Sequence, residues 1–463
     1  MEFREKSMKE KQSFFVRDPH FYRSLAAIAV PIALQNIISF GVNIMDSVML
    51  GSLGDIAISG AALGGQPFFI LMMCSFGLSS GGGVLIAQYW GKKDLAAVRR
   101  VLSISMRIVL IVSVLFTAVS LAIPRQLMGL FSHEQAVIDA SSSYLFVVAF
   151  SYVFFALSSN YIMSLRSVEQ VKISAVIYGV SFFVNIFFNY CFIFGHFGFP
   201  RLEVAGAALG TVIARASELV MVLFYMTFFE KRIGFRPRDL LSFDKTLLPD
   251  YIRHALPVVG NEMLWGLGTT ISNLVIGRIG SSFVAASSIA NVMNQLSGVF
   301  IFGVANAAAV LTGKAVGQGN NRLAQQTAQT IWALTFGIGA FSCALLLALR
   351  GTVLSIYNIT PEARAVATPI LTILAFLQLS MAPDVTCIVG ILRGGGDTRT
   401  AFAFDCGGLW LIAVPLGVLS GLVLHLPAPI VYLCMKLDSP VKLVFSSLRI
   451  FSGNWIRNVT RAE

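Results

Sequence analysis

The sequence predicts an all-α polytopic membrane protein with twelve transmembrane helices, organised as two repeats of six. Three observations support this fold class. Of the 463 residues, 56% are hydrophobic and only 12% are charged, whereas soluble domains contain about 25% charged residues. Apolar segments of about 20 residues or more, the length needed to cross about 30 Å of hydrocarbon, recur along the whole chain. The two halves of the chain also resemble each other.

The apolar segments are separated by polar stretches, so the helices can be counted in order. The turn GHFGFPRLE separates the fifth from the sixth, and the basic stretch EKRIGFRPRDLLSFDK separates the sixth from the seventh. The predicted spans are 24–50, 56–87, 101–123, 137–163, 173–195, 204–229, 254–277, 283–312, 326–349, 366–392, 400–421 and 426–448.

The basic stretch after the sixth span sets the predicted domain boundaries. We expect two six-helix bundles, 24–229 and 251–448, joined by a cytoplasmic linker, 230–250. A cytoplasmic segment, 1–23, precedes them and a cytoplasmic tail, 449–463, follows. No small-residue cleavage signal follows a short apolar core near the start, so we expect the first span to remain uncleaved.

The distribution of Lys and Arg predicts the orientation in the membrane. With a cytoplasmic N-terminus, the inside segments, counted together with Lys436 and Lys442 of the last span, hold 27 basic residues and the outside loops hold five. Loops rich in Lys and Arg stay on the cytoplasmic side. We therefore expect a multi-pass protein of the plasma membrane, the inner membrane in bacteria, with both termini in the cytoplasm.

The two halves match when the chain is aligned with itself at an offset of 226. The matches favour glycine and proline, which shape the backbone, and an even number of spans per repeat gives both halves the same topology. We therefore expect an axis along the membrane normal to relate the repeats. The matched pairs are Pro31 and Pro257, Gly51 and Gly277, Gly54 and Gly280, Phe76-Gly77 and Phe302-Gly303, and Gly91 and Gly317.

Asp46 is the acidic residue of the first span, where a charge is expensive and usually functional. Asn185 and Asn189, spaced i,i+4 on the fifth span, and Thr211 on the sixth are expected at the same level near the outer ends of their helices. One carboxylate, two amides and a hydroxyl suit a proton or an alkali cation, which prefers oxygen ligands. The alternative is that the amide and hydroxyl groups only form hydrogen bonds that hold neighbouring helices together.

Three further acids lie in the second half of the chain. Glu262 is near the middle of the seventh span, Asp384 is in the inner half of the tenth, and Asp405 is close to the cytoplasmic end of the eleventh. They are candidates for a second cation site, and buried structural carboxyl groups are the alternative. Arg215 and Glu218, three residues apart on the sixth span, are expected to neutralise each other.

The sequence argues against an enzyme and against a cofactor. The six cysteines form no CxxC motif, the five histidines form no pair at metal-ligand spacing, and no nucleophile and base stand together. We expect no metal beyond Na⁺ at Asp46 and no nucleic-acid partner. A Walker glycine loop is also missing, so the energy for transport should come from a gradient rather than from ATP.

Several motifs together resemble the multidrug and toxic-compound extrusion (MATE) family of cation-coupled exporters. The resemblance spans nearly the whole chain and implies two six-helix bundles around a central cavity, with export driven by inward flow of H⁺ or Na⁺. The motifs are PIALQNIISFGVNIMDSVMLGSLGD, GLSSGGGVLIAQYWGKKD, NIFFNYCFIFG, VAGAALGTVIAR, LPVVGNEMLWGLGTT, ANAAAVLTGKAVGQGN and IVGILRGGGDT.

The resemblance also implies roles for individual residues. Asp46 matches the family's helix-one aspartate of cation or proton coupling, and Asn185 matches an asparagine of the polar network around it. Asn189 stands where some members have an aspartate, so this site has one formal charge fewer. Glu262 matches the helix-seven glutamate that another branch uses for cation binding, whereas Asp384 is about two residues out of register with that branch's helix-ten aspartate.

We therefore expect a secondary antiporter that works as a monomer by alternating access. Its substrates would be small organic compounds, cationic and lipophilic, since Phe and Met side chains offer aromatic and adaptable surfaces. A flippase for lipid-linked precursors and a membrane scaffold without transport activity are the alternatives. The GKKDLAAVRR loop after the second span fits poorly to the major facilitator superfamily, another family with twelve spans.

Overall fold

The computed structural model describes residues 15–241, 245–357 and 359–461, and within these ranges the chain is helical without strands. Twelve successive spans are present, as the sequence predicts. They are Pro19–Gly51; Asp55–Gly64 with Gln66–Lys92; Leu95–Ala122; Gln135–Val148 with Ser151–Ser167; Lys172–Phe194; Glu203–Phe228; Leu248–Ile279; Ser281–Gly317; Asn321–Ile356; Pro361–Val385 with the π-helix Thr386–Leu392; Thr398–Val423; and Ala428–Cys434 with Asp438–Phe451. Two short helices, Pro124–Gly129 and the 3₁₀ turn Pro237–Leu241, lie between spans.

The length and apolar character of these helices fit a membrane protein. Among the described residues nine helices are long and apolar enough to cross a bilayer, and a tenth span consists of Gln135–Val148 and Ser151–Ser167, bent by 52°. The seventh span is long but carries Glu262 within it. The twelfth is divided into helices of 7 and 14 residues. The chain is therefore a multi-pass membrane protein.

The backbone confirms that the repeat has structural meaning. Gly54 and Gly280, which are matched in sequence, both have positive φ angles, of 100° and 152°, and each comes directly before a helix. Glycine adopts such angles without the steric cost that a side chain would add. A glycine with a positive φ angle therefore comes directly before the second span of each repeat.

The chain folds into two compact units, and their boundaries differ from those of the two sequence halves. The N-unit contains Leu34–Ile86 and Leu95–Met263, and the C-unit contains Met1–Ala33, Ala87–Asp94 and Leu264–Glu463. The start of the first span thus belongs to the C-unit, and the start of the seventh span belongs to the N-unit. The bundle boundaries 24–229 and 251–448 stay a prediction.

Close glycine contacts explain why the seventh span begins in the N-unit. A Cβ added at Gly77 of the second span would lie 2.6 Å from Cα of Val259. One turn further along, a Cβ at Gly81 would overlap Ala255. The backbones of the second and seventh spans therefore approach as closely as glycine permits.

The C-unit contains the equivalent contact between the eighth and first spans. A Cβ added at Gly303 would lie 2.9 Å from the carbonyl oxygen of Ala29 and 3.3 Å from Cβ of Ala33. These residues correspond to Gly77, Ala255 and Val259 at the offset of 226. The first half of the first span thus packs in the C-unit, and the first half of the seventh span packs in the N-unit.

A reciprocal contact in the C-unit joins the ends of the second and eighth spans. A Cβ at Gly91 would overlap the carbonyl oxygen of Lys314, and a Cβ at Gly317 would overlap the carbonyl oxygen of Gln88. Positions 88 and 314, like 91 and 317, are equivalent in the repeat. Each repeat therefore supplies one glycine and one carbonyl to the same crossing.

Candidate ion-coupling site

Asp46 is half-buried in the N-unit, and the fifth span supplies its hydrogen-bond partner. Nδ2 of Asn189 donates to Oδ1 of Asp46 at 2.6 Å and to Oδ1 of Asn185 at 3.3 Å. Both asparagines are buried, and their i,i+4 spacing places them on one face of the helix. The structure thus brings together three of the four residues selected from the sequence, and their role in ion coupling stays a prediction.

Two glycines of the sixth span position the fifth span at this site. A Cβ at Gly206 would lie 2.5 Å from the carbonyl oxygen of Phe192, and a Cβ at Gly210 would overlap Oδ1 of Asn189. The small residues let the two backbones approach closely, as in other membrane helix pairs. The sixth span therefore contacts the Asn189 amide through a glycine.

Thr211 follows Gly210 directly, but its hydroxyl group is engaged by its own helix. Oγ1 of Thr211 donates to the carbonyl oxygen of Ala207 at 3.0 Å. Such i−4 hydrogen bonds are common for threonine in helices. Thr211 therefore lies at the level predicted from the sequence, and Gly210 makes the close contact with Asn189.

One oxygen at this site lacks a donor. Oδ1 of Asn189 is buried and has no hydrogen-bond partner among the described residues. Buried polar atoms are nearly always paired, so an orphan atom needs an explanation. The Asn189 amide therefore contacts Asp46 through its nitrogen, while its oxygen lies against Gly210 as a buried acceptor.

Arg215 attracts Asp46 electrostatically, but it is already paired with Glu218. Its Nη1 contacts Oε1 and Oε2 of Glu218 at 2.7 and 3.0 Å, which confirms the pair predicted from the sequence. Ser181 also donates to Glu218, and the Arg215 guanidinium also attracts Asp46. Arg215 is thus engaged by Glu218, and the direct partner of Asp46 is the neutral amide of Asn189.

Asp384 and Asp405, two of the three acids predicted for a second site, meet at a lysine. Nζ of Lys442 lies 3.4 Å from Asp384, 3.0 Å from Asp405 and 3.0 Å from Asp438, all in the C-unit. Glu262 is half-buried and belongs to the N-unit. The sequence reasoning missed Lys442 and Asp438, although their i,i+4 spacing in the twelfth span was a usable signal.

Sequence reasoning also missed Asp397, at the end of the loop that joins the tenth and eleventh spans. Its side chain is fully buried, and its two oxygens contact Arg449 at 2.9 Å and Arg457 at 3.0 Å. Thr400 donates a further hydrogen bond at 2.8 Å. Two guanidiniums surround one carboxylate here, so this group is fixed rather than exchangeable.

The structure offers few other metal ligands. Among the described residues no group of three His, Cys, Asp or Glu side chains is arranged to hold a metal ion. The six cysteines, all in described ranges, are free thiols.

Comparison with known proteins identifies two matched segments. The profile of the MatE family matches residues 31–191 and again residues 257–419. The two matches begin at Pro31 and Pro257, the first pair of the internal repeat. Together they cover well over half of the chain.

Relatives of similar length extend this match. A "Probable multidrug resistance protein NorM" of Thermotoga maritima is 24% identical over 441 residues, 94% of each chain. A "Multidrug resistance protein MdtK" of Yersinia pseudotuberculosis is 25% identical over 410 residues, covering 86% of this chain and 88% of that protein.

Solved structures share the fold at low sequence identity. One is described as the outward-facing conformation of a multidrug resistance MATE family transporter; it has a TM-score of 0.85 and 17% identity, and the alignment covers 95% of this chain and 99% of the other. A MOP superfamily transporter from Pyrococcus furiosus has a TM-score of 0.84 and 17% identity over 93% and 96% of the two chains.

Proposed function

The chain belongs to the MatE family of membrane transporters, and from this premise we propose that it is a secondary antiporter. In this proposal it exports small organic compounds, cationic and lipophilic, in exchange for H⁺ or Na⁺. The curated relatives are named multidrug resistance proteins, which supports the substrate class. Because both repeats lie in one chain, a single copy would contain the complete transport path.

The observation that carries this proposal is that Asp46 has a neutral amide, and not a cation, as its direct partner. Its carboxylate is held by the amide of Asn189 at 2.6 Å, and Arg215 is paired with Glu218. An amide orients a carboxylate without neutralising it, whereas a buried charge in a membrane is costly unless a partner balances it. An exchangeable cation at Asp46 would remove this cost.

Ion binding would drive transport because it changes the contacts between helices. With Asp46 ionised, its oxygen is a strong acceptor for Asn189 and ties the first span to the fifth. A bound proton or Na⁺ neutralises the carboxylate and weakens this hydrogen bond. The ion thereby favours one of two conformations of the transporter, and this difference in affinity couples its gradient to export.

The Lys and Arg distribution supports a bacterial inner-membrane orientation with both termini in the cytoplasm. The inside segments of this arrangement would hold 25 of the 34 basic residues, and Lys436 and Lys442 lie within the last span. An inward proton or sodium gradient across that membrane would then supply the ion to the outer end of the first span, where Asp46 lies about one and a half turns before Gly51.

Export of a cationic dye from proteoliposomes tests the proposal. Proton and sodium gradients are imposed separately, and wild-type protein should drive dye movement with one of them. Asp46→Asn should reduce gradient-driven movement to the level of protein-free liposomes, since a neutral amide cannot exchange a cation. Asp139→Asn is the matched control, because Asp139 is an exposed acid of the same unit that pairs with Arg125. Full transport by Asp46→Asn would exclude this residue from the mechanism.

A further inference from the structure

Arg166 is a half-buried arginine in the last turn of the fourth span. Its Nη2 donates a hydrogen bond to Oε1 of Gln35 at 2.6 Å, and Gln35 is 3% exposed. Both residues belong to the N-unit. The guanidinium therefore links the fourth span to the first through a neutral amide.

The position of Gln35 shows how far this guanidinium lies from the end of the first span. Gln35 is the middle residue of the 33-residue helix Pro19–Gly51, about 24 Å from Pro19 at 1.5 Å per residue. Arginines near the end of a span usually extend toward the membrane surface, where the charge stays in contact with water. Arg166 instead contacts the middle of the first span.

Most of the hydrogen-bonding capacity of Arg166 is unused in the part of the chain that the structure describes. Its Nε is buried and has no hydrogen-bond partner there. Its Nη1 has no described acceptor either, although it is less enclosed than Nε. A guanidinium carries five N–H donors, and buried donors are nearly always paired. The guanidinium therefore has donors for a further acceptor.

The charge of Arg166 also lacks a counterion, since no acidic side chain among the described residues forms an ion pair with it. It interacts electrostatically with the phenol of Tyr178 in the fifth span, and a tyrosine side chain is neutral at pH 7. Arg215, which also interacts with Tyr178, has Glu218 as its partner at 2.7 Å. Arginine stays protonated in proteins, so a buried guanidinium without a counterion calls for an anion.

We propose that Arg166 is a specificity-determining residue that binds a carboxylate group of the exported compound. The planar guanidinium matches a carboxylate in shape and charge, and hydrogen bonds between charged groups are the strong ones. A lipid phosphate offers similar chemistry, but lipid head groups lie outside the hydrocarbon region, whereas Arg166 contacts the middle of the first span. The substrates would then include compounds with both a cationic and a carboxylate group. Export of such compounds rests on the proposed function, but binding of the carboxylate does not.

The binding of two matched dyes tests this proposal. Rhodamine B carries a cationic ring system and a free carboxylate, and its methyl ester carries the cation alone. Fluorescence anisotropy measures the affinity of each dye for the detergent-solubilised protein in the absence of an ion gradient. Arg166→Gln should weaken the binding of rhodamine B about tenfold and that of the ester less than about twofold, because only the first dye loses a charge-assisted hydrogen bond.

Three further variants sharpen this test. Arg125→Gln is the matched control, because Arg125 is an exposed arginine of the same unit that pairs with Asp139, and it should leave both affinities unchanged. Arg166→Lys keeps the charge but not the planar donor group, so its affinity for rhodamine B should lie between those of wild type and Arg166→Gln. The proposal is wrong if Arg166→Gln weakens the binding of both dyes equally. Asp46→Asn, which tests the antiport proposal, should show the same difference between the dyes as wild type, so the two failures can be told apart.

Chemical labelling of the wild-type chain gives a second answer without a substitution. Phenylglyoxal modifies accessible guanidiniums, and peptide mass spectrometry locates the product. Rhodamine B should protect Arg166 from labelling, its methyl ester should not, and Arg125 should be labelled equally in every sample. An Arg166 that stays unlabelled without dye, or that both dyes protect equally, would overturn the proposal. Protection by phosphatidylglycerol alone would assign the guanidinium to a lipid phosphate and would also overturn it.

Discussion

Asp46 and Asp397 are both acidic residues of a membrane protein, but the structure holds them in opposite ways. Asp397 is fully buried and contacts two guanidiniums, whose positive charge exceeds its own. Asp46 is half-buried and its direct partner is the neutral amide of Asn189. The comparison contrasts a carboxylate that two guanidiniums neutralise with one that a neutral amide holds, and the proposed cation exchange at Asp46 depends on the second arrangement.

The contacts around Asp397 show what a fixed carboxylate does. The backbone N–H of Arg457 donates to the carbonyl oxygen of Gly395 at 2.8 Å, and Trp455 is fully buried against that glycine. Nε2 of Gln88 donates to the carbonyl oxygen of Arg457 at 3.1 Å. Asp397 thus fastens the segment after the last helix to the loop between the tenth and eleventh spans.

The largest effect on stability should come from Asp397. Asp397→Ala leaves two guanidiniums without their buried partner and should lower the free energy of unfolding by about 3 kcal/mol. Thermal unfolding of the detergent-solubilised protein measures this change. Asp139→Ala, which removes an exposed ion pair, should cost less than about 1 kcal/mol. The comparison breaks down if Asp46→Asn destabilises the protein as much as Asp397→Ala.

A smaller effect is expected from crowding the amide at the candidate site. Gly210→Ala places a methyl group on Oδ1 of Asn189, which must rotate away from its present position beside Asp46. Such overpacking costs on the order of 1 kcal/mol, so export should fall about fivefold. Dye efflux under the driving gradient measures this loss of export.

Gly179→Ala is the matched control, because it adds the same methyl group to the interior of the fifth span. The nearest atom there, Cδ1 of Ile38, lies 3.9 Å away, at ordinary contact distance. Equal export by both variants would show that the orientation of Asn189 does not matter for transport.

The smallest effect is expected from Thr211. Its hydroxyl donates to Ala207 of the same helix, so Thr211→Val should change export by less than about twofold. Dye efflux measured at several concentrations of the coupling ion would show whether the affinity for the ion changes. A large loss of affinity would instead make the hydroxyl a ligand in another conformation of the transporter and extend the site beyond Asp46 and the asparagines.

Much of the fold followed from local features of the sequence. The spans were predictable because apolar segments of sufficient length alternate with polar turns. The repeat was predictable because glycines such as Gly54 and Gly280, both with positive φ angles, recur at equivalent positions. The contact of Asp46 with Asn189 was also predictable in outline, since few polar groups occur at that level and each seeks a partner in a membrane.

Other features depend on packing between distant segments, which the sequence pattern does not reveal. The packing of the first half of the seventh span in the N-unit rests on the fit of Gly77 against Val259, a contact between residues far apart in the chain. Lys442 looked like a residue near the cytoplasmic end of the last span, where lysine is ordinary. Only the folded chain shows that three acids from three helices surround it.

The crossing of the second and eighth spans has a consequence for how this chain can change over evolutionary time. Gly91 accommodates the carbonyl of Lys314, and Gly317 accommodates the carbonyl of Gln88, so each repeat supplies half of a shared contact. A larger residue at either glycine would displace the backbone of the other repeat, so the two positions are constrained together.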